Sequence, residues 1–125
     1  MSLLNKEVED FSVNAYHKDS FCTVEKKDIL GKWSVFFFYP ADFSFVCPTE
    51  LHAFEELRGE FEKRNTIIIG ASVDTCEVHF AWLNTPKNNG GIEGVTYPIL
   101  ADSNRNLART LGILDSNEVY DEVAD

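Results

Sequence analysis

Cys22, Cys47 and Cys76 are the three cysteines of the chain, and their spacing sorts them first. They lie far apart, with no CxxC and no Cys/His set at zinc-finger spacing, so neither a vicinal dithiol nor a structural zinc site is encoded. Cys47 has the most informative surroundings. It follows an apolar run, Pro40, a short loop and Ser44, and it precedes Pro48-Thr49-Glu50-Leu51, which reads as the first turn of a helix. Proline suits that turn because its missing N–H is no loss there. The reactive form of cysteine is the thiolate, and a free thiol with a pKa of about 8.5 is mostly protonated at neutral pH. A helix N-terminus, with its unpaired N–H groups and the positive end of the dipole, stabilises the anion. Ser44 places a hydroxyl three residues before the sulfur, suited to hydrogen-bond a thiolate and an incoming oxygen. Pro40 stiffens the turn and screens the sulfur from bulk water. No cation stands close by in sequence. The residues alone leave two readings open at Cys47, a nucleophilic or redox cysteine and an inert structural one, and they name no substrate.

The remaining candidates read more simply. Cys76 follows Asp74-Thr75 at a second helix start, which would lower its pKa, but a partly buried, inert cysteine suits the site better. A Cys47–Cys76 disulfide would need Cα atoms within about 7 Å. Cys22 sits in a candidate edge strand and is expected to be inert. His79 lies three residues after Cys76, and two ligands are too few for structural zinc. His52, just past Glu50, is expected to be exposed. Arg58, Arg64, Arg105 and Arg109 read as solvated helix and loop residues.

These residues must be carried by a set of alternating elements. Val8, Phe11, Val13 and Tyr16 indicate short extended pieces, and Phe21–Val24 a further strand. Gly31-Lys32 reads as a turn. Trp33 to Tyr39 is apolar on both faces and predicts a central strand covered on both sides, stopped by Pro40. Leu51, Phe54, Leu57 and Phe61 predict one helix continuing from Cys47. Thr66–Val73 is a second buried strand. Asp74-Thr75 caps a helix from Cys76 to about Leu83. Pro86 to Gly94 is a polar loop, Tyr97–Ala101 a short strand, and Asp102-Ser103 starts a helix with Leu107 and Leu111 inward, ended by Gly112. Residues 115–125 read as an acidic loop. Strands alternating with helices predict an α/β domain with parallel pairing, and no linker divides residues 1–125.

Composition bounds the function. The 125 residues carry 11 Lys+Arg against 21 Asp+Glu, a formal net charge of -10. That argues against nonspecific binding to nucleic acid or anionic membranes, which needs a cationic face. No apolar window reaches transmembrane length and the N-terminus has no secretory apolar region, so a cytoplasmic location with reduced thiols is expected.

The stretch Phe36-Phe37-Phe38-Tyr39-Pro40-Ala41-Asp42-Phe43-Ser44-Phe45-Val46-Cys47-Pro48-Thr49-Glu50-Leu51 resembles the peroxidatic loop of the typical 2-Cys peroxiredoxins, close to the bacterial alkyl hydroperoxide reductase group. The family's Pro, Thr or Ser, and Cys fall on Pro40, Ser44 and Cys47. The likeness extends through Gly31–Ser34, Ser72–Thr75, His79–Trp82, Tyr97–Asp102 and Leu111–Ile113. It implies a thioredoxin-like three-layer α/β sandwich and a thiol-dependent peroxidase acting on hydrogen peroxide and alkyl hydroperoxides. Cys47 would become a sulfenic acid and then a disulfide. Pro40 and Ser44 would shape the oxygen pocket, and Glu50 would orient the family's catalytic arginine. His79 and Trp82 would be packing residues near the active site or the oligomer contact. The implied partners are a resolving cysteine, a flavoprotein disulfide reductase or thioredoxin-type donor, and further copies of the chain in dimers or rings of dimers. No metal or organic cofactor is implied.

The arginine and the resolving cysteine have no counterpart in these 125 residues. The expectation is therefore an incomplete domain, ending before the family's last strands and C-terminal helix, with little peroxidase activity and an exposed edge on Trp33–Tyr39. Such a chain would fold only by self-association or by pairing with a C-terminal piece. A general thiol–disulfide oxidoreductase lacks the CxxC it would need, and a scaffold or holdase would use exposed aromatics such as Phe43 and Phe45.

Overall fold

A computed structural model of the chain describes residues 5–43 and 47–113, with Cys47 described through its backbone. Ser44 and the expected loop at 115–125 lie outside the described residues.

The first strands form a hairpin. β1 (Ser12–His17) and β2 (Ser20–Glu25) pair antiparallel in the register Val13↔Val24, Ala15↔Cys22 and Tyr16↔Phe21. Lys18 and Asp19, at φ 51° and 62°, make the two-residue turn, the left-handed geometry that matches strand twist. Next come β3 (Trp33–Phe38), α1 (Cys47–Glu56), α2 (Arg58–Lys63), β4 (Thr66–Ser72), α3 (Cys76–Leu83), β5 (Ile99–Ala101) and α4 (Asn106–Thr110). They build one five-stranded sheet in the order β2-β1-β5-β4-β3.

The sheet is mixed rather than wholly parallel. β3 pairs parallel with β4, and β4 with β5, whereas β5 meets β1 antiparallel. The tight β1–β2 turn forces antiparallel pairing at that end, because a parallel crossover needs a dozen residues or more. β3 is flanked on both faces, as its doubly apolar sequence requires, but among the described residues it ends the sheet, paired only with β4.

Alternation in the strands sends successive side chains to two cores. Ile68 and Ile99 join Tyr39, Leu51, Trp82, Ile92, Val95 and Tyr97 on one face, with Phe37, Phe54, Phe61 and Leu83 packed against them. Ile69, Ala71 and Leu100 join Val13, Ala15, Val24 and Leu107 on the other, with Phe36, Phe38 and Leu111 alongside. Helices thus cover both faces of the sheet, α1 to α3 on one side and α4 on the other.

Two helices differ from expectation. The single helix read from Leu51 to Phe61 is broken at Leu57, which has φ -92° and ψ 0° and is exposed. Gly59 weakens helical propensity there, and the break leaves Phe54 and Phe61 on the core with ring centroids 6.5 Å apart. α4 starts later than Asp102-Ser103, yet Asp102 still serves its N-terminus. The buried Asp102 carboxylate accepts from the Leu107 N–H at 2.9 Å and the Ala108 N–H at 3.0 Å. Gly112, at φ 69°, closes the helix as expected.

Candidate active site

β3, β4 and β5 run parallel, and their carboxyl ends release the three segments that build the site: Tyr39–Phe43, Ser72–Thr75 and Ala101–Asp102. The crevice outside the carboxyl ends of parallel strands is the usual ligand position in open α/β sheets.

Cys47 opens α1, as its sequence context predicted, with Pro48 next to it in the first turn and Glu50 exposed in the same turn. A carboxylate at this end of the helix also interacts favourably with the dipole. The following turns are fixed to the body of the protein. Leu51 is fully buried, and its carbonyl accepts from the Tyr97 hydroxyl at 2.7 Å. His52 is half-buried rather than exposed, with Nε2 3.2 Å from the Gly91 carbonyl oxygen. One turn on, the Glu55 carboxylate accepts from the Thr96 N–H at 2.8 Å and the Thr96 hydroxyl at 3.0 Å.

The segment before the cysteine is fixed from the other direction. The Tyr39 N–H donates to the Ala71 carbonyl at 3.0 Å, extending the β3–β4 pairing by one residue. Pro40 follows and is exposed. The Tyr39 hydroxyl donates to Asp42 Oδ1 at 2.6 Å. Burial, then the charge of Asp42, pushes the Tyr39 phenol far above its usual range, so it remains a donor. The Asp42 N–H donates to Asp74 Oδ2 at 2.7 Å, and the Ser72 hydroxyl donates to the same oxygen at 2.8 Å. Asp42 Oδ2 lies 2.6 Å from His79 Nδ1, and His79 Nε2 lies 2.8 Å from the Leu100 carbonyl oxygen. Both side chains of this pair are fully buried. Phe43, held at φ 60°, sets its ring 6.0 Å from that of the buried Trp82.

His79 was expected only to pack; instead it ties three segments together. Nothing in the spacing from Cys76 to His79 signals this. The usable signal is chemical: a histidine in the apolar helix Val78-His79-Phe80-Ala81-Trp82-Leu83 needs a polar partner once buried, and Asp42 is the acid of the loop that follows β3.

Cys76 sits at the first position of α3, where the Thr75 hydroxyl caps the helix by accepting from the Val78 N–H at 3.3 Å. Its thiol is nevertheless raised above the usual value, by burial first and then by the Glu77 charge. The half-buried Cys22 is raised too, by burial and then Asp28. Neither has the depressed pKa of an activated thiol. Arg58 pairs with Glu55 and Glu62, and Arg64 with Glu60, so both serve helix surfaces. Among the described residues no group of three or more His, Cys, Asp or Glu side chains is placed to hold a metal ion. None of the described helices is long and apolar enough to cross a membrane.

Residues 4–124 match the AhpC/TSA family. The chain belongs to that family. It is 43% identical over 118 residues to peroxiredoxin-1 of Gallus gallus, covering 94% of this chain and 59% of that protein. It is 46% identical over 107 residues to peroxiredoxin 1 of Brugia malayi, covering 85% of this chain and 47% of that protein. This AhpC/TSA chain thus spans roughly half to three-fifths of the length of these curated relatives. Among solved structures, the crystal structure of Enterococcus faecalis AhpC superposes with a TM-score of 0.85 at 46% identity, covering 94% of this chain and 68% of that one. The reduced 2-Cys peroxiredoxin of Plasmodium vivax gives a TM-score of 0.87 at 31% identity, covering 94% and 62%. The AhpC/TSA chain therefore has the thioredoxin-like α/β fold of the peroxiredoxins.

Proposed function

We propose that the chain carries the peroxide-reacting part of a thiol-dependent peroxidase, with Cys47 as the attacking residue. The observation that carries this reading is the position of Cys47 at the N-terminus of α1, between two anchored segments, in a chain of the AhpC/TSA family. The thiolate attacks the terminal oxygen of a hydroperoxide. The O–O bond breaks, the sulfur is oxidised to a sulfenic acid, and the leaving oxygen takes a proton and departs as water or an alcohol. Backbone N–H groups at the helix start stabilise the thiolate. Ser44 supplies a hydroxyl to the reacting oxygens, Pro40 shapes the oxygen pocket, and Glu50, exposed in the first turn, orients an arginine supplied from beyond these residues.

A second thiol then condenses with the sulfenic acid, releasing water and leaving a disulfide. A flavoprotein reductase or thioredoxin-type dithiol donor resets it. We assign the protein to the cytoplasm and to dimers or rings of dimers on the same reading. No step uses a metal or an organic cofactor. The test is peroxide consumption with a dithiol donor, on this chain and on a full-length protein made by extending it with the remaining part of a relative such as Enterococcus faecalis AhpC, with Cys47→Ser beside each. The expected result is fast consumption by the full-length protein that Cys47→Ser reduces to the uncatalysed level. Unchanged consumption in Cys47→Ser would overturn the assignment.

A further inference from the structure

The buried Asp42–His79 pair lies outside the chemistry just described. The Leu100 carbonyl can only accept, so His79 Nε2 carries a hydrogen. Asp42 Oδ2 and His79 Nδ1, 2.6 Å apart, must then share one further hydrogen, because a carboxylate oxygen and a bare ring nitrogen at that distance would repel. With the Tyr39 hydroxyl on Oδ1 and Asp74 on the Asp42 N–H, both oxygens and the backbone N–H of Asp42 are occupied. The network joins β3, β5 and α3 at a residue five positions before Cys47.

We infer that Asp42 and His79 are positioning residues for the reaction of Cys47 with peroxide, a one-proton clamp that fixes the root of the cysteine segment. The inference rests on the peroxidase reading and goes beyond it. Attack on a peroxide requires the sulfur, the scissile O–O bond and the stabilising donors to be aligned, whereas simple alkylation requires only an accessible thiolate. The ratio of the two rates therefore reports positioning separately from thiolate chemistry. Asp42→Asn is the informative variant. Its Oδ1 can still accept from Tyr39, and its amide can donate to His79 Nδ1, leaving Nε2–H on Leu100. Asp42→Ala and His79→Phe remove the shared hydrogen altogether.

The experiment measures, in the full-length protein, the second-order rates of Cys47 with hydrogen peroxide and with iodoacetamide for the parent and these three variants, with thermal unfolding alongside. The expected result is a peroxide-to-alkylation ratio lowered about tenfold or more in Asp42→Ala and His79→Phe, the scale on which small misplacements of a reacting group act, and restored to within about threefold of the parent in Asp42→Asn. If His79→Phe fails to fold, the comparison of Asp42→Ala with Asp42→Asn decides alone. If neither alanine nor phenylalanine variant folds, nitrogen NMR of His79 in the parent decides: hydrogens on both ring nitrogens, or one shared with Asp42, support the clamp, and an unshared bare Nδ1 overturns it. Equal ratios in all folded variants, or an Asp42→Asn ratio as low as that of Asp42→Ala, would also overturn it. A parent that reacts with peroxide no faster than free cysteine would sink the peroxidase reading and the clamp with it; a fast parent with indifferent variants sinks the clamp alone.

Discussion

The three cysteines occupy different electrostatic settings, and their reactivity should rank accordingly. Burial and nearby carboxylates raise the thiols of Cys22 and Cys76. A free thiol is already mostly protonated at pH 7, and a raised one is more so. The sign is fixed: their alkylation should be slow at neutral pH and climb only as the solution passes the ordinary thiol range. Cys47, at the start of α1, should be alkylated while the other two remain free. Mass spectrometry after limiting iodoacetamide at pH 7 checks this, and equal labelling of Cys76 and Cys47 would contradict it. Helix position alone does not activate a cysteine. Cys76 also begins a capped helix, but partial burial and Glu77 work against its anion.

At the scale of elements, the site depends on how tightly α1 is seated on the sheet. Phe37 of β3 stacks on Phe54 of α1 with ring centroids 4.4 Å apart. Gly70 of β4 makes room for this stack: a Cβ there would come within 2.9 Å of Phe37 Cζ and 3.1 Å of Ile99 Cδ1. Gly70→Ala should therefore cost about 1–3 kcal/mol by overpacking, read as a lower denaturation midpoint, and an unchanged midpoint would show that the stack can shift freely. The sequence made these elements legible to different degrees. Thr66–Val73 and Cys76–Leu83 emerge almost as read, because a β-branched run and a Thr cap are local signals. The break at Leu57 was not legible, since periodicity continues across it and only packing decides which apolar residue turns outward. The antiparallel β1–β5 contact was hidden for a similar reason: strand direction follows from the whole sheet, and only Ala15↔Leu100 and Tyr16↔Ile99 carry it. The candidate cysteine could be read from its neighbours in sequence. The Asp42–His79 link, 37 residues apart in the chain, could not.

For the whole molecule, two features act on association in opposite senses. Among the described residues β3 pairs on one side only, and it carries Trp33 at 77% exposure. An apolar strand with a free edge favours pairing with another chain, and a charge placed on it opposes that. The net charge of -10 keeps copies apart. Raising the salt concentration should therefore promote concentration-dependent association of this chain, and Trp33→Lys should reduce it at every salt concentration. Light scattering would show both effects, and indifference to Trp33→Lys would show that β3 does not drive association. The chemistry, however, centres on Cys47. The most direct measurement exposes the full-length protein to substoichiometric hydrogen peroxide, traps sulfenic acid with a dimedone-type reagent and locates it by mass spectrometry. Adducts are expected on Cys47, formed far faster than on free cysteine, with Cys22 and Cys76 unmodified; adducts spread over all three at the rate of free cysteine would contradict Cys47 as the peroxide-reacting residue.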